Sequence, residues 1–314
     1  MDSRVAVASL GGTITMTGSG AVSPTLGAGD LVRGLEVGEV GEIATLATIP
    51  GASLTFATLL ETFDWASKQV REGASGVVVI QGTDTLEETA YFFDCLWPHE
   101  EPLVVTGAMR HPGLPGADGP ANLAAAVAVA GAPNSRGRGA VLVLNDSVHA
   151  ARWVRKTHSS LPNAFESFPG PLGLVVEGAP QYFHPAHRLP ALPRPLDAPA
   201  VPLVEATVDD DGSLLDWLNV RGVVVAASGV GHVSAGMAEA ISRAAFPVVV
   251  ASRTGAGTTF RSTYGFAGSE SDLIARGVVM AGWLCPRKAR VLLRLALGAM
   301  QPVEDVFAAR GGVF

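Results

Sequence analysis

Two short stretches of the chain place hydroxyl side chains directly after apolar runs. The β-branched run at residues 76–80 is followed by Gln-Gly-Thr-Asp-Thr at 81–85, and the apolar run at 6–10 is followed by Gly-Gly-Thr at 11–13. Such runs are typical of strands that are buried on both faces of a sheet. Ligands in open α/β sheets bind beyond the carboxyl ends of the strands, so both stretches are candidates for carrying chemistry.

Thr13 and Thr83 could act as nucleophiles or pass protons. A hydroxyl on a glycine-rich turn suits acyl transfer, although the same turn could cradle a phosphate or be purely structural. A threonine needs a base, and Lys156 is the best candidate because burial or a positive neighbour favours neutral lysine. Asp84 could orient that base or bind a substrate ammonium. The simpler interpretations are helix capping for Asp84 and a solvated position for Lys156.

The residues that follow predict a helix. Thr85 is a plausible N-cap residue, and Glu88 three positions later would complete a capping box. The helix is expected to run from Leu86 to about Trp97, because Pro98 cannot continue it.

Strand-like and helix-like segments alternate along most of the chain, which implies parallel βαβ units. The proline-rich segment 186–202 has no periodicity and predicts a linker. We therefore expect an α/β N-terminal domain at 1–185, with a mostly parallel sheet flanked by helices, and a smaller α/β domain at 203–314. Further strands are predicted at 42–49, 102–106, 140–144, 222–226 and 247–251, and further helices at 55–72, at 235–245 and from 286 onward.

The segment 16–29 separates Thr13 from the next predicted strand. It is polar and rich in glycine, with few residues that could anchor it in a core. We favour a lid over the first strand end, and a plain surface loop is the simpler alternative.

Composition excludes several classes of protein. The 314 residues are 48% hydrophobic and 16% charged, which favours folded cores over disorder. The formal net charge of −7 argues against nucleic acid or an anionic membrane as the main partner. Neither a signal peptide nor a membrane-spanning run is evident, so we expect a cytoplasmic protein. The two cysteines, Cys95 and Cys285, are expected to be buried free thiols.

The sequence offers no pattern for a metal or a nucleotide cofactor. The histidines show no metal-ligand spacing beyond the pair His184 and His187, which lies in or beside the predicted linker. Phosphate-loop and dinucleotide-binding fingerprints do not occur. We therefore expect no metal and no organic cofactor.

Six segments, in order, resemble the bacterial L-asparaginase family of asparaginase and glutaminase-asparaginase amidohydrolases. They are LGGTIT at 10–15, QGTDT at 81–85, VTGAMRHPGLPGADGPANLAAAV at 105–127, NDSVHAARWVRKTHSSLPNAFESFPGPLG at 145–173, SRTGAGTT at 252–259 and PRKARVLLRLAL at 286–297. The likeness covers nearly the whole chain. It implies a two-domain, asparaginase-like α/β fold and hydrolysis of the asparagine side-chain amide to aspartate and ammonia, without metal or organic cofactor.

The resemblance also implies a role for each residue that matches a family motif. Thr13 would be the nucleophile that forms an acyl-enzyme. Thr83, Asp84 and Lys156 would form a second hydroxyl–lysine–carboxylate group, in which Thr83 handles the water or the proton. Asp84 would also hold the α-ammonium of the substrate.

Three further positions are implied to bind the small-molecule amino-acid amide. Ser53 would bind the α-carboxylate with help from Gly82, and Ala108 would contact the side-chain amide. Family members are built from dimers in which a neighbour's C-terminal domain completes each site. A homodimer or homotetramer is therefore expected here.

The chain departs from the family pattern at positions around this set. Gln81 stands where the family has histidine, Val22 where many members have a tyrosine, and His232 where they often have asparagine. These departures keep alternatives open: hydrolysis of glutamine or D-asparagine, or an amino-acid-binding protein with little catalysis. An amide linked to tRNA is disfavoured by the net charge of −7.

Overall fold

The computed structural model describes residues 4–18, 20–33, 35 and 40–312. The chain forms two compact units, residues 1–191 and 192–314. This division falls within the predicted linker 186–202, whose bounds stay a prediction. Residues of this stretch pack onto the unit to which they belong. Arg188 donates to the carbonyls of Trp97 and His99 in the first unit, and in the second unit Arg294 donates to the carbonyl of Pro199.

The first unit is built on an eight-stranded sheet with helices packed against it. The strands of the whole unit, which include two small pairs outside the large sheet, are β1 (Val5–Gly11), β2 (Met16–Thr17), β3 (Ser23–Pro24), β4 (Val40–Ile49), β5 (Gly76–Ile80), β6 (Leu103–Thr106), β7 (Ala140–Leu144), β8 (Ser147–Ala150), β9 (Val154–Lys156), β10 (Phe165–Ser167), β11 (Gly173–Val176) and β12 (Ala179–Tyr182). Its helices are α1 (Ala28–Val32), α2 (Phe56–Arg71), α3 (Leu86–Leu96) and α4 (Gly119–Gly131).

The order of strands in the large sheet is β12-β11-β8-β7-β6-β5-β1-β4. The five strands from β7 to β4 are parallel, and β8, β11 and β12 extend the sheet in antiparallel fashion. The prediction of a mostly parallel sheet is therefore confirmed for the part of the sheet that carries the site. The antiparallel edge was not predicted, because its strands are four residues long and partly exposed.

The apolar runs of the central strands explain the core. All of β5 is buried, as its unbroken β-branched sequence predicts for a strand covered on both faces. On one side of the sheet, Val78 and Val104 pack in the same cluster as Leu123 and Val127 of α4. Predicted strands and helices in this unit are confirmed to within two residues.

The predicted capping box at the start of α3 is wrong. Thr85 does occupy the N-cap position, but its side chain makes no capping hydrogen bond. A single 3-10 turn, Thr83–Thr85, leads into the helix, and the Thr85 hydroxyl donates instead to the carbonyl of Gly51, 2.9 Å away. Thr85 Oγ1 accepts from Gln81 Nε2 at 3.1 Å, so this amide takes the place of the helix N–H that a cap would bind. By contrast, Thr55 does cap α2, accepting from the Thr58 N–H at 3.1 Å.

The segment 16–29 has regular structure in its described part. Strands β2 and β3 pair antiparallel, the hydroxyls of Thr17 and Thr25 lie 2.7 Å apart, and α1 begins at Ala28. Its action as a lid stays a prediction.

The second unit carries a four-stranded parallel sheet in the order β13-β14-β15-β16. Its strands are β13 (Leu203–Glu205), β14 (Val223–Ala227), β15 (Val248–Ser252) and β16 (Val279–Met280), and its helices are α5 (Ala235–Arg243), α6 (Glu270–Ala275), α7 (Pro286–Gly298) and α8 (Val303–Arg310). Strands β14 and β15 are completely buried, as the valine runs predict. No helix within the described residues is long and apolar enough to cross a membrane.

Candidate active site

Glycines follow four adjacent strands of the large sheet at their carboxyl ends. They are Gly12 after β1, Gly51 after β4, Gly82 after β5 and Gly107 after β6. The backbones touch: a Cβ built on Gly12 would lie 2.1 Å from the Gly82 nitrogen, and one on Gly82 would lie 2.8 Å from the Gly51 nitrogen. A Cβ on Gly107 would lie 2.3 Å from the carbonyl oxygen of Gln81. Only glycine allows these turns to pack so closely, and the turns hold the predicted site residues other than Lys156, which lies on β9.

Thr13 begins a 3-10 turn directly after Gly12. Gly12 has φ 88° and ψ −173°, a backbone region that essentially only glycine occupies. The Thr15 hydroxyl donates to the Gly12 carbonyl at 2.7 Å and the Thr15 N–H donates to it at 2.9 Å, which closes the turn. Thr13 itself is half-buried, so the turn holds a hydroxyl-bearing residue in a fixed place with part of its surface open.

Thr83, Asp84 and Lys156 come together in the structure. Lys156 Nζ lies 2.9 Å from Thr83 Oγ1 and 3.6 Å from Asp84 Oδ1. Thr83 is buried, the Lys156 side chain is 17% exposed and the Asp84 side chain is 61% exposed. The ammonium group therefore bridges a buried hydroxyl and a carboxylate that is open to solvent.

Glu87 anchors the strand that delivers Lys156. Its buried carboxylate, one turn after Thr83 on α3, accepts the backbone N–H of Lys156 at 2.5 Å. Strand β9 also pairs with β10, where Lys156 lies opposite Phe165. The sequence did not lead us to predict this role. The available signal was the i, i+4 spacing, which puts Thr83 and Glu87 on one face of the helical segment.

The three predicted binding residues occupy different surroundings. Ser53 is exposed at the end of the 3-10 turn Gly51–Ser53, whose first residue, Gly51, packs against Gly82. Ala108 is completely buried, one residue after Gly107, and its contact with an amide stays a prediction.

Asp118 and Asn122 hold the chain that follows Gly107. The carboxylate of Asp118 accepts the backbone N–H groups of Met109 and Arg110, at 2.9 and 2.8 Å. The Asn122 amide donates to the Gly107 carbonyl at 3.0 Å and accepts the Asn145 N–H at 2.9 Å. Neither role was predicted from the sequence, because the partners are backbone groups of other segments.

Gln81 and Thr85 link the turn that carries Thr83 to the turn that carries Ser53, since Thr85 Oγ1 donates to the Gly51 carbonyl and accepts from Gln81. Gln81 is completely buried and its Nε2 donates to Thr85 Oγ1 at 3.1 Å and to the Gly82 carbonyl at 3.3 Å. The Gln81 Oε1 atom is buried and has no hydrogen-bond partner among the residues that the structure describes.

The structure also describes the remaining candidate groups. Within the described ranges, no set of three or more His, Cys, Asp or Glu side chains is arranged to hold a metal ion. Both cysteines are free thiols, Cys95 buried and Cys285 only partly so.

Two family models match the chain. The model described as "Asparaginase, N-terminal" matches residues 4–188, and the model described as "Glutaminase/Asparaginase C-terminal domain" matches residues 200–308. A probable L-asparaginase from Deinococcus radiodurans is 36% identical over 250 residues, which is 76% of each chain. An L-asparaginase from Bacillus licheniformis is 32% identical and covers 98% of this chain and 99% of its own.

A solved structure agrees with the sequence matches. The crystal structure of a probable cytoplasmic L-asparaginase from Campylobacter jejuni has a TM-score of 0.88 and 29% identity, and covers 98% of this chain and 99% of its own. The fold, the site at the strand ends and the matches to asparaginases together define this protein as an amidohydrolase. The chain belongs to the asparaginase family.

Proposed function

We propose that this enzyme hydrolyses the side-chain amide of L-asparagine to L-aspartate and ammonia through an acyl-enzyme on Thr13. The observation that carries the proposal is the contact of Lys156 with Thr83 and Asp84 on the turn that packs against Gly12. Lys156 is the candidate proton acceptor, Thr83 the hydroxyl that relays the proton and Asp84 the carboxylate, and they lie on or against the turn that packs on Gly12, the residue before Thr13.

In the first step, Thr13 Oγ1 attacks the amide carbon and its proton is transferred to the leaving nitrogen. The C–N bond breaks, ammonia departs and an ester to Thr13 remains. In the second step, water attacks the ester carbon and passes a proton through Thr83 to neutral Lys156. The 2.9 Å contact serves this transfer, because a neutral lysine accepts from the hydroxyl to which its ammonium form donates. Aspartate leaves and Thr13 recovers its proton from the Lys156–Thr83 pair.

Residues on two turns orient the substrate. Ser53 and the Gly82 turn bind the α-carboxylate, and Asp84 binds the α-ammonium. One anion-binding and one cation-binding contact are enough to orient a small zwitterion relative to the nucleophile. Ala108 contacts the amide.

Glutamine is a second candidate substrate, because the second matched model is described for glutaminases as well as asparaginases. Glutamine differs from asparagine by one methylene, a difference that binding pockets discriminate by about 10–200-fold. The ratio of the kcat/KM values for asparagine and glutamine therefore shows which of the two is the preferred substrate.

The first experiment is ammonia release from L-asparagine, L-glutamine and D-asparagine by wild type and Thr13→Ala. We expect turnover of L-asparagine that is lost in Thr13→Ala and kept in Thr207→Ala, which removes an exposed threonine of the second unit. Mass spectrometry of acid-quenched wild type should show an acylated peptide that contains Thr13. Full activity of Thr13→Ala would refute the nucleophile. Tight aspartate binding without turnover of any amide would favour an amino-acid-binding protein.

Two further expectations belong to this proposal. A cytoplasmic location is consistent with the description of the Campylobacter jejuni protein, and cell fractionation tests it. A homodimer or homotetramer, with each site completed by a neighbouring subunit, is tested by sedimentation together with the concentration dependence of specific activity.

A further inference from the structure

The turn that carries Ser53 is tied to the turn that carries Thr83 by side chains with no assigned role. The Thr85 hydroxyl donates to the Gly51 carbonyl at 2.9 Å, and this same carbonyl accepts the Leu54 N–H at 3.3 Å. The Gly51 carbonyl therefore closes the 3-10 turn around Ser53 and also receives the cross-link from Thr85.

The Nε2 atom of Gln81 donates two hydrogen bonds. The proton of the Thr85 hydroxyl is committed to the Gly51 carbonyl, so Thr85 Oγ1 can only accept from Gln81. The second partner of Gln81, the Gly82 carbonyl, is also an acceptor. An amide NH₂ group satisfies both, whereas the amide oxygen would meet two acceptors. This fixes the orientation of the Gln81 side chain.

The cost of this orientation is visible in the structure. Gln81 Oε1 is left buried without a partner in the described part of the chain, and an unsatisfied buried oxygen is destabilising. An apolar residue of similar shape would avoid that cost. Such a residue would lack the two N–H donors of the amide. The role of the amide is therefore to donate to Thr85 Oγ1 and to the Gly82 carbonyl.

We propose that Gln81 and Thr85 form a hydrogen-bonded bridge that sets the position of Ser53 relative to Thr83 and Asp84. Both are positioning residues, since they contact the turns rather than the reacting atoms. The inference rests on the proposed function, in which Ser53 binds the α-carboxylate of the substrate and Asp84 binds its α-ammonium. Loss of the bridge then weakens substrate binding more than it slows the chemistry on Thr13.

The test uses matched variants of Thr85. Thr85→Val has the same shape and lacks the hydroxyl, whereas Thr85→Ser keeps the hydroxyl. We expect Thr85→Val to raise KM for the preferred amide about tenfold, which corresponds to one hydrogen bond, with kcat within about threefold of wild type. Thr85→Ser should restore KM. Thr62→Val removes a buried hydroxyl that bonds within α2, at 2.8 Å to the Thr58 carbonyl, and should change neither constant.

A second measurement does not depend on catalysis. Hydrogen exchange followed by mass spectrometry should show faster exchange in the peptide 50–56 of Thr85→Val and of Gln81→Met, but not of Thr85→Ser or Thr62→Val. Gln81→Met should also raise KM, because it removes both donors of the amide.

The outcomes separate two failures. If wild type hydrolyses no amide, the proposed function fails, and the exchange of peptide 50–56 still decides whether the bridge holds the turn. If wild type is active and Thr85→Val matches Thr85→Ser in KM and exchange, the bridge is refuted. Exchange that rises across the whole chain, with kcat and KM unchanged, would reduce Thr85 to a general stabilising role and also refute the proposal.

Discussion

Gly12 lies so close to Gly82 that a Cβ on Gly12 would meet the Gly82 nitrogen at 2.1 Å and its Cα at 2.2 Å. Both atoms are backbone, so no side-chain rotation relieves the clash. Gly12 also has φ 88°, which L side chains rarely adopt. The turn before Thr13 and the turn before Thr83 therefore depend on each other.

Gly12→Ala is expected to lose both stability and activity. Backbone strain alone costs about 1–3 kcal/mol, and the clash adds to it by pushing Thr13 away from Thr83. The control is Gly170→Ala, where a Cβ would meet no atom of the described residues within 4 Å. Urea unfolding and ammonia release measure both variants. A Gly12→Ala protein with wild-type stability would show that the turns can separate freely.

Lys156→Met is expected to lower kcat by about 10²–10⁴-fold, the range typical of a lost acid–base group. Binding of aspartate should change less, because Ser53 and Asp84 remain. Lys68→Met is the control, since Lys68 forms an exposed ion pair with Glu72 at 3.7 Å on α2. A Lys156→Met enzyme with wild-type kcat would remove Lys156 from the mechanism.

Thr83→Val tests whether Thr83 and Lys156 act as one unit. Residues that share one step lose activity non-additively. The double variant with Lys156→Met should therefore be about as slow as the slower single variant. Losses that multiply in the double variant would assign the two residues to separate steps.

Glu87 offers a test of how Lys156 is held. Glu87→Leu leaves the Lys156 N–H without the acceptor it now has, which should cost about 1–3 kcal/mol of the free energy of unfolding and lower kcat. Glu87→Gln keeps an acceptor oxygen and should retain more of both. Equal losses in the two variants would show that the charge of Glu87, rather than its bond to the Lys156 backbone, supports the site.

Local sequence predicted the strand ends but not the contacts between them. Unbroken valine runs such as 76–80 specify buried strands, and parallel strands bring their carboxyl ends to one edge. Residue types and family resemblance then suggested that Lys156 meets Thr83, although 73 positions separate them. The Thr85 hydroxyl shows what local rules miss. The local pattern predicts a capping box, but Thr85 Oγ1 accepts from Gln81 Nε2 and donates to the Gly51 carbonyl instead of capping the helix.

Glu270 provides a prediction for pH-dependent stability in the second unit. Its carboxylate is completely buried and accepts the N–H groups of Thr263 and Tyr264 at 2.7 and 2.6 Å, with His232 Nε2 at 3.0 Å. Burial raises the pKa of Glu270, but the hydrogen bonds from Tyr264, from its own backbone, from Thr263 and from His232 outweigh burial and lower it.

The sign of the pH effect follows from that lowered pKa. A carboxyl group whose pKa falls on folding stabilises the native state fully above its ordinary value near 4.5, and the contribution is lost as pH falls through the lower native value. Wild type should therefore lose stability below pH 4.5 more steeply than Glu270→Gln does, in urea unfolding at a series of pH values. Glu304→Gln, at an exposed position, is the control and should keep the wild-type slope. The same slope in Glu270→Gln and wild type would show that other carboxyl groups carry the acid sensitivity.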